Sequence, residues 1–207
     1  QLIVACANEL FFINPTTGEI MEKKRQHQAP IYCVRCSPDG IFFASSSADG
    51  FVVISRCVNN DGITRYGFPV SMKLLSWCPT KQMLISCSPK EFQVWHPDDM
   101  RVSRYKVEQN ILASSFSPSG LTFLLSYENG EVLIYDSLNI PNVLQSYKFT
   151  FPLTSVSYAM IDNVECIVTT DLERHVSLFR TSDKALVGKN SLTFEALSSI
   201  LIDGFFL

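Results

Sequence analysis

The chain has 207 residues with 17 Lys and Arg against 20 Asp and Glu, a net charge of −3, and 46% of its residues are apolar. This weakly acidic composition gives no general basic field, so it argues against nucleic-acid binding. No apolar run approaches the roughly 18 residues of a membrane-spanning helix. The length is sufficient to bury a sizeable core.

The first predicted elements form an incomplete unit. Strands are expected at Leu2–Cys6 and Leu10–Ile13, joined by a turn at Asn8-Glu9, and Thr17-Gly18-Glu19 leads into a third strand. Such short apolar runs bounded by turn residues are typical of β-structure. Compared with the units that follow, this one lacks its first strand.

The next unit is the first complete one. Strands are predicted at 31–36, 41–45 and 51–54, with a more polar fourth strand near 63–68. The turn Ser37-Pro38-Asp39-Gly40 separates the first two strands and Ala48-Asp49-Gly50 the next two, with Pro and Gly supplying special backbone angles.

The turn after the first strand recurs along the chain. Its prolines are Pro38, Pro79 and Pro118, at steps of 41 and 39 residues, and weaker echoes follow at Met160 and Ile202. Self-similarity at about 40–45 residues, with several strands in each unit, is typical of a WD40-type β-propeller. The fold prediction is all-β: a partial WD40 propeller with four antiparallel strands per blade.

The whole chain, 1–207, is expected to be part of one propeller domain of about three full blades and two incomplete ones. The unit boundaries fall at about 27–69, 70–109, 110–151 and 152–190, with blade fragments at 1–26 and 191–207. In the last fragment, residues 195–207 are predicted to supply a first strand and the start of a second. Since the chain begins with Gln1 and not Met, we expect an open arc that continues in a longer chain.

A set of polar residues is predicted to stabilise the blades and to take no part in catalysis. WD40 repeats often hold a blade with a hydrogen-bonded His, Ser, Asp and Trp, because buried polar groups need partners. The candidates for this blade-pinning role are His27, Ser45, Asp49, Trp95, Asn129, Tyr135 and Asp136. The first unit has Ser55 where Trp is usual, so its set is incomplete.

The cysteines do not form a recognisable metal or disulfide pattern. There are seven, an odd number, which favours buried thiols in a reducing, cytoplasmic compartment. Cys33 and Cys36 lie three apart on a predicted strand and so point to opposite faces, and no second ligand pair accompanies them. No metal, cofactor or small-molecule substrate is expected.

The sequence distinguishes three function classes. An enzyme would need polar groups at the starts of the first strands, but these are apolar: Ile31, Met72, Ile111 and Leu153. A reader of phosphopeptides or modified lysines would need an Arg cluster or an aromatic cage, and Arg35, Arg56, Arg101 and Arg104 are scattered. A protein–protein interaction scaffold is the favoured class, with its partner-binding residues unknown.

The chain resembles one WD40 family, the N-terminal propeller of intraflagellar transport protein 122. The likeness includes His27-Gln28-Ala29-Pro30-Ile31-Tyr32-Cys33-Val34, Phe43-Ala44-Ser45-Ser46-Ser47-Ala48-Asp49, Leu84-Ile85-Ser86-Cys87-Ser88, Phe92-Gln93-Val94-Trp95-His96-Pro97, and Val187-Gly188-Lys189-Asn190 with Leu192-Thr193-Phe194. The chain lacks the Gly before His27 and loses Trp in three blades, which indicates a divergent member.

The resemblance implies a non-enzymatic scaffold subunit of intraflagellar transport complex A. Such a subunit takes part in retrograde transport and helps carry membrane proteins into the cilium or flagellum. It implies partners among other WD40 and helical-repeat subunits, and a location in the cytoplasm, the cilium and its base. A WD40 scaffold of another trafficking complex, of the vesicle-coat type, is the alternative.

Overall fold

The computed structural model is all-β. It describes residues 1–191, 201–202 and 205–206, and side chains within 1–62 and 64–191. No helix occurs in these residues. The strands are β1 Leu2–Cys6, β2 Glu9–Ile13, β3 Ile20–Lys24, β4 Ile31–Cys36, β5 Phe42–Ser47, β6 Phe51–Arg56, β7 Gly62–Gly67, β8 Leu74–Trp77, β9 Leu84–Ser88, β10 Glu91–His96, β11 Arg101–Lys106, β12 Ile111–Phe116, β13 Thr122–Tyr127, β14 Glu131–Asp136, β15 Val143–Lys148, β16 Leu153–Ile161, β17 Val164–Asp171, β18 His175–Arg180, β19 Leu186–Ser191, β20 Leu201–Ile202 and β21 Phe205–Phe206. The predicted fold class is confirmed.

Four of the sheets have four strands each, in sequence order. We call them the first repeat sheet (β4–β7), the second (β8–β11), the third (β12–β15) and the fourth (β16–β19). The structure therefore has four complete four-stranded sheets, one more than the approximately three full blades predicted from the sequence. In each sheet whose pairing is fully described, neighbouring strands are antiparallel, as short hairpin turns require.

The chain termini carry smaller sheets. β1, β2 and β3 form a three-stranded sheet, and the turn between β1 and β2 occupies residues 7–8. The predicted turn at Asn8-Glu9 is therefore misplaced by one residue, because Glu9 already pairs with Cys6. At the other end β20 pairs with β21, and the rest of the predicted strand region 195–207 lies outside the described residues.

Tight turns close the first repeat sheet at the positions where the sequence places glycine. Gly40 and Gly50 have φ angles of 70° and 80°, a region that costs a side-chain-bearing residue energy. A Cβ on Gly50 would lie 2.8 Å from the carbonyl oxygen of Phe68. Gly50 is thus required both by the backbone angle and by the close approach of the chain.

The chain divides into two compact units, each with its own apolar core. The first comprises Gln1–Trp77, Gln82–Ser88 and Phe92–Arg104, and the second comprises Cys78–Lys81, Pro89–Glu91 and Tyr105–Leu207. The core of the first unit includes Phe42, Ile54, Phe68, Trp77, Leu84 and Trp95. The core of the second includes Leu124, Val132, Ile134, Leu153, Val156 and Ile167.

Strands provide most of these core residues because alternate side chains of a strand face the neighbouring sheet. β5 and β9 are buried along their whole length, as expected of strands covered on both faces. Within the described residues, no helix is long and apolar enough to cross a membrane.

Candidate functional site

The strongest polar constellation lies at one end of the first repeat sheet. His27 precedes β4, Ser45 lies within β5, and Asp49 lies in the β5–β6 turn. His27 Nδ1 is 3.0 Å from Asp49 Oδ2, and His27 Nε2 is 2.8 Å from Ser45 Oγ. The structure therefore brings these three predicted residues together around a histidine side chain that is fully buried.

The hydrogen-bond partners fix the state of this group. The carboxylate can only accept, so Nδ1–H of His27 donates to Asp49, and Nε2 accepts from the Ser45 hydroxyl. Asp49 also accepts the backbone N–H groups of Gln28 and Phe51, both at 2.9 Å. Every polar atom of the His27 ring is thus engaged.

Burial and hydrogen bonding shift both titrating groups. Burial lowers the pKa of His27, against the opposing attraction of Asp49. Burial alone would raise the pKa of Asp49, but the N–H donors of Gln28 and Phe51, together with His27, hold it below its ordinary value. His27 is therefore a neutral imidazole beside the Asp49 carboxylate. The hydrogen bond between the two side chains links the β5–β6 turn to the segment before β4.

This arrangement has no free group for chemistry on a ligand. A general base must reach the proton it removes and have a free lone pair, and both nitrogens of His27 are occupied. The blade-pinning role of His27, Ser45 and Asp49 stays a prediction that mutation can test.

A fourth position in the same sheet has a different partner from the one usual in WD40 repeats. Ser55 occupies the place of Trp, and the Gln26 side-chain amide donates to Ser55 Oγ at 3.1 Å. Gln26 also donates to the carbonyl oxygen of Asn60. Sequence reasoning missed Gln26, although its place next to His27 is a usable signal.

The second repeat sheet keeps only half of the usual set. Trp95 in β10 is almost fully buried, and its Nε1–H donates to Ser86 Oγ in β9 at 2.8 Å. The rings of Tyr66 and Phe68 meet Trp95 edge-on, at centroid distances of 5.0 and 5.8 Å. Ser86 was not among the predicted residues, although it lies on the strand beside Trp95.

In the third repeat sheet the predicted residues do not come together. The hydroxyl of Tyr135 is 2.8 Å from that of Tyr127 in the buried interior. Asn129 is exposed and accepts the N–H of Glu131 within its own turn. Asp136 accepts from the N–H of Leu138 and from the side chain of Asn139, which lowers its pKa. Asn129 and Asp136 thus each hold a local turn, Tyr135 belongs to a tyrosine pair, and their blade-pinning role stays a prediction.

The cysteine pair Cys33 and Cys36 consists of free thiols. Burial raises the pKa of each thiol, which disfavours the thiolate that a metal would require. Among the residues with described side chains, no three His, Cys, Asp or Glu groups are placed to hold a metal ion.

Comparison with known proteins decides the family. The family model described as the IFT122 first beta-propeller matches residues 1–204. This chain belongs to the IFT122 first-propeller family. An intraflagellar transport protein 122 homolog from Danio rerio is 28% identical over 203 residues, covering 94% of this chain and 17% of that protein. The homolog from Xenopus tropicalis is 34% identical over 134 residues, covering 65% of this chain and 11% of that protein.

A solved structure supports the same fold. One chain in the crystal structure of the mitotic checkpoint complex superposes with a TM-score of 0.81 at 14% identity, covering 96% of this chain and 62% of that one. At this identity the likeness shows the fold alone. The match to the IFT122 family model confirms the predicted family resemblance. The chain spans only 17% of the length of the Danio rerio relative.

Proposed function

We propose that this chain is part of a scaffold subunit of intraflagellar transport complex A, acting in retrograde transport and in the entry of membrane proteins into cilia or flagella. The observation that carries the proposal is the IFT122 first-propeller match, which extends over residues 1–204. The order-preserving likeness to the Danio rerio homolog over 203 residues supports it.

The described side chains support a binding role over an enzymatic one. The fully buried His27 has both ring nitrogens occupied, by Asp49 and by Ser45. Large apolar side chains are exposed on several strands, including Leu2, Ile20, Tyr32, Leu144 and Leu186. Exposed apolar side chains on separate strands are compatible with contacts to other proteins but do not by themselves mark a binding surface, because only a contiguous patch does so.

Affinity capture of the full-length protein, tagged at its own locus in ciliated or flagellated cells, tests the proposal. We expect a stable set of WD40 and helical-repeat subunits, and a tagged protein that concentrates at the ciliary base and in the cilium. Loss of the protein should cause transport cargo to accumulate at the ciliary tip, because retrograde transport returns material from there.

Other outcomes would reject the proposal. Recovery of vesicle-coat subunits, with no ciliary localisation, would assign the chain to another trafficking scaffold. A purified protein that turns over a metabolite without binding any transport subunit would make it an enzyme.

A further inference from the structure

A cavity opens in the fourth repeat sheet, within the second compact unit. Its volume is about 200 Å³, and it lies between the segment before β16 and the β17–β18 turn. Pockets for drug-sized ligands are typically about 300–1,000 Å³. The cavity therefore suits a single side chain better than a larger ligand.

The cavity occupies the place that the His27 network fills in the first repeat sheet. The strand register gives the correspondence between the two sheets. Ile31 pairs with Ser47 in the first sheet and Leu153 pairs with Asp171 in the fourth, so Ile31 corresponds to Leu153 and Ser47 to Asp171. By this correspondence Phe149 stands at the His27 position and Glu173 at the Asp49 position. Thr169 and Phe179 take the two remaining positions, and all four line the cavity.

These replacements remove the histidine–carboxylate pair from the positions of His27 and Asp49, and the fourth sheet instead has a partly buried pair at other positions, His175 with Asp171. In the first sheet the Asp49 carboxylate is only 6% exposed and faces an imidazole. In the fourth sheet the Glu173 carboxylate is 50% exposed, with His175 Nδ1 at 3.9 Å. A carboxylate that is internal in one sheet thus becomes accessible to a ligand in the other.

Three phenylalanines, Phe149, Phe151 and Phe179, form part of the cavity wall. The rings of Phe149 and Phe179 meet edge-on at a centroid distance of 5.3 Å, and both pack against the core. Phe151 also lines the cavity and is 40% exposed. The faces of aromatic rings attract cations, and such a contact already occurs nearby, where Lys184 Nζ lies 5.3 Å from the centre of the Tyr147 ring.

The charged groups of the lining also favour a cation. Two carboxylates, Asp171 and Glu173, line the cavity together with one Lys, Lys189, and with His175. Asp171 accepts from the backbone N–H of His175 at 2.9 Å and lies 3.2 Å from its Nδ1. Because acids outnumber the lysine, an anionic ligand such as a phosphopeptide would meet net repulsion.

We propose that this cavity binds a cationic side chain, the ammonium of a lysine or the guanidinium of an arginine, on an exposed segment of a partner protein. The rings of Phe149 and Phe179 hold the alkyl stem and the cation, and Glu173 neutralises the charge. Lys189 opposes binding and sets a limit on affinity. The site does not depend on which transport complex the protein joins.

Binding of small blocked amino acids to the full-length protein tests this site. The cationic probes are the N-acetyl methylamides of lysine, trimethyllysine and arginine, and the neutral control is the same derivative of Nε-acetyllysine. Ligand-observed NMR titrations give the dissociation constants. We expect all three cationic probes to bind, and the neutral probe to bind at least about fivefold more weakly because it loses the charge.

Three variants locate the probes in the cavity. Glu173→Gln should weaken the cationic probes about threefold, as expected for a partly exposed carboxylate. Phe179→Leu should weaken them about fivefold by removing the ring while keeping an apolar side chain. Lys189→Gln should strengthen binding by about two- to threefold. Asp162→Asn, in the turn between β16 and β17, removes the same charge outside the cavity and should leave binding unchanged.

The results separate the possibilities. If Phe179→Leu unfolds the protein, Glu173→Gln and Lys189→Gln still decide, because both side chains are exposed. A preference for trimethyllysine would show that the aromatic rings contribute more of the binding free energy, and a preference for arginine would show that the carboxylate does. Both results support the site. Equal binding of the neutral probe, tighter binding of a phosphopeptide, or no effect of Glu173→Gln would overturn it.

Discussion

His27 connects three separate segments of the first repeat sheet through two hydrogen bonds. Its replacement by Ala would leave the Ser45 hydroxyl buried without its partner and remove one donor from Asp49. Leaving buried polar groups unpaired costs about 1–3 kcal/mol each. We therefore expect His27→Ala to lower the free energy of unfolding by about 2–4 kcal/mol, measured by denaturant titration of the full-length protein.

A second histidine provides the control for this substitution. His96 is the last residue of β10 and is only partly buried. We expect His96→Ala to cost less than about 1 kcal/mol, as is usual for substitutions near the surface. Equal effects of the two variants would show that the His27 network does not stabilise the sheet.

His27 also makes the free energy of unfolding depend on pH. Its folded-state pKa lies below the unfolded value of about 6.5, so the unfolded chain binds more protons as the pH falls below that value. Its contribution to stability is present above about pH 6.5 and is lost as the pH falls through the folded-state pKa. Asp49, whose pKa is also lowered, adds a loss at still lower pH.

We expect the denaturant concentration at the midpoint of unfolding to decrease when the pH is lowered from 7.5 to 5.5. In the His27→Asn variant this decrease should be smaller. The pKa of His96 is also lowered, first by burial and then by Arg101, so the comparison should be repeated in a His96→Ala background. Parallel pH profiles for the protein with and without His27 would contradict this assignment.

At the scale of the elements, the turns determine how the strands pair. Gly50 and Gly40 both have positive φ angles in the first repeat sheet, but their surroundings differ. A Cβ on Gly50 would approach the Phe68 carbonyl oxygen to 2.8 Å, whereas a Cβ on Gly40 would have no atom within 4 Å. Gly40→Ala should cost about 1–2 kcal/mol from backbone strain alone, and Gly50→Ala clearly more.

Thermal unfolding of the two variants measures the difference. We expect Gly50→Ala to have the lower Tm, since the Phe68 carbonyl is backbone and cannot rotate away from the new methyl group. Equal Tm values would mean that the chain relaxes around the Phe68 carbonyl at little cost.

Sequence alone predicted most of these elements because strands and turns leave local patterns. The recurrent turns at Pro38 and Pro118 locate the hairpins, and apolar runs such as that at β6 locate buried strands. The side-chain partners were harder to predict. Which residues meet across strands depends on register and rotamer, so the Tyr127–Tyr135 pair had no clear local signal. For the Gln26–Ser55 contact the only signal was the position of Gln26 next to His27.

The cavity of the fourth sheet was missed for a related reason. Phe149 and Glu173 are 24 residues apart, and only the paired register places them at the positions of His27 and Asp49. In the sequence alone, Phe149 looks like an ordinary core residue. Its proposed role in binding becomes visible only when the structure shows Glu173 in the same cavity.

At the scale of the whole molecule, β1 is the feature with the clearest consequence. Within the part of the chain that the structure describes, β1 pairs with β2 on one side only. Its side chains Leu2 and Val4 are 53% and 37% exposed. An open strand edge with exposed apolar side chains is a template for pairing with another chain.

The 207-residue segment, expressed alone, should therefore self-associate through β1. We expect light scattering to show oligomers that increase with concentration, and Val4→Lys to reduce them, because a charge on an edge strand opposes pairing. Val58→Lys introduces the same charge at a residue that is 96% exposed outside the strands, so it should leave association unchanged. In the full-length protein neither substitution should alter the oligomeric state if further chain covers β1. A monodisperse isolated segment, or equal effects of the two lysine substitutions, would show that β1 is not the associating edge.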